Sequence, residues 1–259
     1  MTIQEIVENK ATLIAQKKAE IKHADGVGYS INTDTVVVNK ATNDIKSDTI
    51  QVKAVINTTR VLDSHGDVHI DGLWNKSLKE NKMIMHLQEH SLKFDSIIAD
   101  GKDLKASAKT VTFKELGYDM EGETQVLLFD STVKRDRNMY MFKQYADGHV
   151  NNHSVGMQYV KLFLAVNDED YKEEKAIWDK YYPMIANKQD ADAQGYFWAV
   201  TEAKVIEGSA VPIGSNQITP TIEVSEAADK GTSTKIEPLQ STQLSVKEFK
   251  NILKKELWN

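Results

Sequence analysis

A serine hydroxyl is hardly ionised near neutral pH, so it attacks a carbonyl only when a neighbouring base takes its proton. Two segments could supply that pair: His86-Leu87-Gln88-Glu89-His90 and Asn152-His153-Ser154-Val155-Gly156-Met157. His90 is the candidate base and Ser154 the candidate nucleophile. Gly156 would let backbone approach closely beside a reacting centre. The chain has no cysteine, which excludes thiol catalysis, disulfides and thiolate metal sites. Taken singly, a histidine is more often a surface or core-edge residue, and a serine beside a glycine a small residue in a tight strand. The reading therefore requires that folding bring His90 and Ser154 together. A third group must hold the histidine's tautomer. Glu207, Asp95, Asp67, His153 and His65 are candidates. Glu207 ends a strand-like run before Gly208-Ser209 and so could point inward from a rigid element, although a strand-end glutamate is commonly solvated.

The first segment also fits a different chemistry. His86-x-x-Glu89-His90 matches the H-x-x-E-H pattern of inverted zinc peptidases, in which two histidines on one helical face bind zinc and the glutamate activates water. That reading demands a helix, and Ser91 to Asp95 continue no helical stripe. Glu173 or Glu174 would have to act as the third ligand.

These residues need elements to position them. Residues 3–23 read as a helix whose apolar stripe (Ile3, Ile6, Val7, Leu13, Ile14, Ile21) docks on its own domain or on a partner. Asp25-Gly26-Val27-Gly28 ends it. Strand texture follows at 35–38 and 50–56, and Asp63-Ser64-His65-Gly66-Asp67 reads as a turn. A helix is expected over 75–81 and strands near 83–86, 111–113 and 124–129. Helical pattern returns over 136–146, and a strand over 149–160 carries Ser154. Residues 167–195 form a charged, partly helical insertion whose Trp178, Tyr181 and Tyr182 suit packing onto a sheet. Strands at 196–200 and 203–207 close the core. The organisation expected is a helical extension over 1–28, a domain over 29–223, a flexible linker over 224–243 and a C-terminal helix over 244–259. The helix beyond that linker suggests partner docking, and trimming of the tail by the protein itself.

A chain of 259 residues with 41% apolar and 27% charged residues can bury a substantial core. No run of 18 apolar residues offers a membrane span, and the first residues do not read as a secretory signal. A net charge of −6 argues against nucleic acid as a partner. The short run Lys134-Arg135-Asp136-Arg137 reads as a solvated helix face.

Four blocks, in order, resemble the phage prohead proteases, capsid-maturation serine proteases related to herpesvirus assemblin. They are Asp63-Ser64-His65-Gly66-Asp67-Val68 with Asp71-Gly72-Leu73-Trp74; His90 after an apolar strand; Asp147-Gly148 with Ser154-Val155-Gly156-Met157; and Glu202 to Pro212, containing Glu207-Gly208-Ser209, with Asn216 beyond. Together they cover roughly residues 50–220. Gly208 stands where relatives more usually carry valine. The resemblance implies an α+β fold with a small closed, antiparallel-rich β-barrel core and surrounding helices. It implies Ser154 as nucleophile, His90 as base and Glu207 as third member, with no cofactor and no metal. It implies a serine endopeptidase that cleaves scaffold and capsid-protein segments inside the assembling prohead, in the host cytoplasm. Its partners would be those substrates, with self-association as a further option and no membrane. A non-cleaving capsid-assembly protein on the same fold is the alternative.

Overall fold

The computed structural model describes residues 1–22, 47–81 and 83–226. The strand expected at 35–38 and the C-terminal helix lie outside the described residues, as does most of the linker. The chain opens on a capping box: the Thr2 hydroxyl accepts from the Glu5 amide, and the Glu5 carboxylate accepts from the Thr2 amide. This starts α1 (Ile3–Glu8). The Asn9 side chain donates back to the Glu5 carbonyl at 2.8 Å, a local bond that interrupts the helix. Helix α2 (Lys10–Ala19) and a short strand, β1 (Ile21–Lys22), follow. The one helix predicted over 3–23 is thus two helices and a strand. Its stripe docks on its own domain, with Ile6 buried and Ile3, Val7, Leu13 and Ile14 packed on the core. Burying a side chain such as Ile6 contributes about 1.5–3 kcal/mol. The Lys17 ammonium adds an ion pair, 2.7 Å from the buried Asp67 carboxylate.

Next come β2 (Thr49–Thr58), β3 (Asp67–His69), α3 (Asn75–Glu80), β4 (Met85–Gln88) and β5 (Ile97–Asp100). Two long strands, β6 (Leu104–Thr112) and β7 (Glu123–Lys134), precede α4 (Met139–Ala146) and β8 (His153–Val166). Helices α5 (Lys172–Tyr181) and α6 (Lys188–Gln194) occupy the expected insertion, and β9 (Tyr196–Ala210) and β10 (Thr221–Glu226) end the described chain. The two strands expected at 196–207 are one continuous β9. The expected linker begins too early at 224, because residues 221–226 are strand and pair with β2. The basic run is not a helix face: Lys134 ends β7, and Lys134, Arg135 and Arg137 pair with Asp103, Asp48 and Asp100.

The fold is α+β, but its strands do not close into the expected barrel. They form a six-stranded sheet, ordered β1-β8-β9-β4-β5 with β3 also beside β9, and a four-stranded sheet, β10-β2-β7-β6. Among the described residues each sheet ends on strands paired on one side, whereas a barrel pairs every strand on both sides. Ile56 and Phe129 of the second sheet share a core with Val155, Met157 and Val205 of the first. Gly208 lies on this inner face. A Cβ there would sit 2.6 Å from Phe129 and 2.7 Å from Ile56, so close packing of the sheets needs glycine in place of the more usual valine. Over another part of β9, the Trp178 ring of α5 lies 5.1 Å from Phe197 and 4.9 Å from Tyr182, the packing role its aromatic character suggests. Among the described residues no helix is long and apolar enough to cross a membrane.

Candidate active site

Strand β9 is the spine of the site. Along one edge it pairs antiparallel with β8, Ser154 facing Ser209 and Gly156 facing Glu207. Along the other it pairs parallel with β4, Leu87 facing Ser209. Directly opposed residues share a face, so Ser154, Gly156, Glu207 and Ser209 lie together on the face of the first sheet turned away from the second. Gly208 and Val155 point the other way, into the core.

A bulge makes this possible. Met157 pairs with Val205 and Gly156 with Glu207, so the extra residue Ile206 is inserted in β9. Strict alternation from the core residue Val205 would aim Glu207 at the core as well. The bulge turns it to the outer face, as bulges beside sites commonly re-aim a side chain. There its carboxylate crosses directly over Gly156: a Cβ on Gly156 would lie 1.9 Å from Glu207 Oε1. The close approach expected at Gly156 is thus that of a side chain.

His90 arrives from the end of β4 in a tight turn. Glu89 and His90 both adopt left-handed backbone, with φ of 51° and 55°. Such conformations cost about 1–3 kcal/mol each in a non-glycine residue and persist where surroundings enforce them. Here the Glu89 amide donates to the Ala210 carbonyl at 3.0 Å, the His90 amide to Ser209 Oγ at 3.1 Å, and the Ser91 amide to the Gln88 carbonyl at 3.0 Å. The ring then meets Glu207, with Nδ1 2.6 Å from Oε1. Ser209 donates its hydroxyl hydrogen to Oε2 of the same carboxylate at 2.6 Å. Oε1 thus meets the His90 ring and Oε2 accepts from Ser209; a carboxylate oxygen only accepts, so Nδ1 carries the hydrogen of the first bond and Nε2 is the ring's other nitrogen. Oε1, which holds the ring, lies above Gly156, two residues and about 7 Å along the strand from Ser154. His90, Glu207 and Ser154 therefore gather on one sheet face. Ser154 is only 4% exposed.

Of the groups weighed as third member, Glu207 bonds the His90 ring. Asp67 accepts from Lys17 and from the Tyr159 hydroxyl. His65 belongs to a turn organised by Asp63, whose Oδ1 accepts from the His65 and Asp67 amides. The Asp95 carbonyl accepts from Asn138. His153 points into the core, where its ring contacts Tyr145 and the Thr219 carbonyl. Burial pushes its pKa down to about 4. His86 also faces the core, bonded to Ser131 and Tyr145; burial and the neighbouring His153 hold its pKa well below the usual range.

This placement removes the premise of the zinc reading. His86 sits in a strand and His90 in a turn beyond it, so no helical face carries both. Asp63, His65 and Asp67 are a group of described residues whose ligand atoms come within 4.8 Å of one another. The Lys17 ammonium already balances Asp67 there.

Ser209 is the site residue that sequence reasoning passed over. Its spacing from Glu207 was the available signal, since i and i+2 in a strand share a face. The Asp147-Gly148 pair acts at a distance. Gly148 (φ 73°) ends α4, its amide donating to the Tyr145 carbonyl and that of His149 to the Gln144 carbonyl. This is a Schellman cap, which turns the chain toward β8. Asn216 fixes the segment after β9: it accepts from Thr58 Oγ1 and the Ile218 amide, and donates to Asn57 Oδ1 and the Thr58 carbonyl.

No family model, no curated protein and no solved structure matches this chain.

Proposed function

We propose that this protein is a serine endopeptidase of the prohead protease type, acting on scaffold and capsid-protein segments inside an assembling phage head in the host cytoplasm. The observation that carries the reading is the 2.6 Å contact between His90 Nδ1 and the buried Glu207 carboxylate, on the sheet face that also presents Ser154. The order of the four sequence blocks supports the substrate class. In the reaction His90 Nε2 takes the Ser154 hydroxyl proton as Oγ attacks the scissile carbonyl carbon. Glu207 holds the ring and stabilises the imidazolium that forms. The imidazolium then protonates the departing amine, leaving an acyl group on Ser154. A water, deprotonated by His90, then attacks the acyl carbon, and the imidazolium returns that proton to Ser154 Oγ as the C–Oγ bond breaks and the acid product leaves. These steps need no cofactor. The test is coexpression with the capsid and scaffold proteins of the same phage, followed by intact-mass analysis. Cleaved scaffold with the native chain and uncleaved scaffold with Ser154→Ala is the expected result; equal processing by both removes the proposal.

A non-cleaving assembly role is favoured by one observation. Leu92 and Phe94, just past His90, and Met139 and Tyr140, at the start of α4, are 66%, 92%, 67% and 60% exposed. Asn138 bonds the Asp95 carbonyl and so ties these two segments together. Capsid-protein masses unchanged by the protein, with assembly still dependent on it, would select this role.

A further inference from the structure

Beneath the site, on the core side of the same sheet, lies a chain of buried polar groups that the reaction above does not use. Ser131 Oγ is 2.9 Å from His86 Nδ1, and His86 Nε2 is 3.0 Å from the Tyr145 hydroxyl. That hydroxyl is 2.9 Å from His153 Nε2, and His153 Nδ1 is 2.9 Å from the Thr219 carbonyl oxygen. Ser131, His86 and His153 are fully buried and Tyr145 nearly so.

We infer that Tyr145 is a positioning residue for Ser154 and His90: it clamps β4 to β8 across the buried side of β9 through a hydrogen-bond chain that admits one proton order. The inference rests on the Ser154 reading proposed above. The order follows from the carbonyl at one end. A carbonyl only accepts, so His153 carries its proton on Nδ1. With its pKa near 4 the ring is neutral, and Nε2 is an acceptor. Tyr145, whose burial holds it as a phenol, spends its single hydrogen there. Its oxygen must then accept from His86, so His86 is protonated on Nε2, and its Nδ1 accepts from Ser131. Every group is satisfied in this order, and reversing any one bond leaves two donors or two acceptors facing each other.

The location ties the chain to the site. His153 is the residue before Ser154, and His86 stands four positions before His90, in a strand of four residues. In register, His153 pairs with Ala210 and His86 with Gly208, the inner-face neighbours of Ser209 and Glu207. Tyr145 thus spans the two strands that deliver nucleophile and base, while β9 between them delivers the carboxylate. Small displacements of such groups cost rate steeply.

Two measurements on the full-length protein test this. Nitrogen-15 spectra of the histidine rings at neutral pH, assigned by single substitutions, should show His86 protonated on Nε2 and His153 on Nδ1. The opposite tautomer at either ring overturns the proton order. The second is the kinetics of Ser154 labelling by a fluorophosphonate. In Tyr145→Phe the maximal labelling rate per folded molecule should fall at least about tenfold with the half-saturating concentration unchanged. A purely structural tyrosine would lower the folded fraction and leave that rate intact, a result that overturns the clamp. Should Tyr145→Phe not fold, Ser131→Ala removes the far donor instead. It should slow labelling about threefold or more, and a native rate overturns the clamp. Absence of labelling in the native protein removes the Ser154 reading and the positioning role with it, while the tautomers still decide the proton order.

Discussion

Glu207 and Ser209 show how much rests on single side chains. Glu207→Gln keeps the size but turns one of two acceptor oxygens into a donor, and it removes the charge that favours the imidazolium. Turnover of a peptide substrate should fall by at least about 100-fold, with the fold retained by circular dichroism; native turnover would show that Glu207 does not orient His90. Ser154→Ala should abolish turnover while changing stability by less than about 1 kcal/mol in urea unfolding, and a large loss of stability would assign the hydroxyl a structural role. His90, Ser154 and Glu207 were all legible as residue types that could form such a site. Ser209 was legible only in part: its spacing puts it on the face of Glu207, but its other partner, the His90 amide, comes from the turn after β4. Its value appears only when β4 and β9 are side by side.

At the scale of elements, the bulge at Ile206 and the glycine opposite Glu207 work as a unit. The bulge turns the carboxylate outward and Gly156 gives it room. Gly156→Ala would place a methyl 1.9 Å from Glu207 Oε1, so the carboxylate must leave the His90 ring. We expect peptidase activity to fall about as far as in Glu207→Gln, with a stability loss of about 1–3 kcal/mol; an alanine variant with native kinetics would refute the crossing. Sequence periodicity reaches several elements, since α4, β7 and β8 carry 3.6- or 2-residue patterns. It fails where parity breaks. Val205 and Glu207 have the same parity, and only strand pairing reveals the inserted residue between them. The H-x-x-E-H spacing misleads for a related reason: it specifies a helix only if the backbone is helical, and Glu89 and His90 are left-handed.

For the molecule as a whole, the buried histidines predict acid sensitivity. His153 ionises near 4 in the fold against 6.5 in an open chain. Between those values the unfolded chain binds a proton that the folded one refuses, so stability falls as pH falls and levels off for this group below 4. At about 1.4 kcal/mol per unit this group removes about 3 kcal/mol across the window, and His86 acts in the same direction. Urea midpoints should drop clearly from pH 7 to pH 5; equal midpoints would mean that the two rings are accessible to protons. The α+β class was legible from the mixture of strand and helix patterns, but two open sheets in place of a closed barrel were not. Closure depends on which distant strands pair, and alternation along one strand carries no record of its neighbours. β10 was missed because Val224 is its one buried aliphatic residue, too little to register as a core signal. The most direct test of the account is to treat the native protein and His90→Ala with a fluorophosphonate and map the adduct by mass spectrometry. A single adduct on Ser154, lost in His90→Ala, is the predicted result. An adduct on another residue, none in the native protein, or equal labelling of Ser154 in both would contradict it.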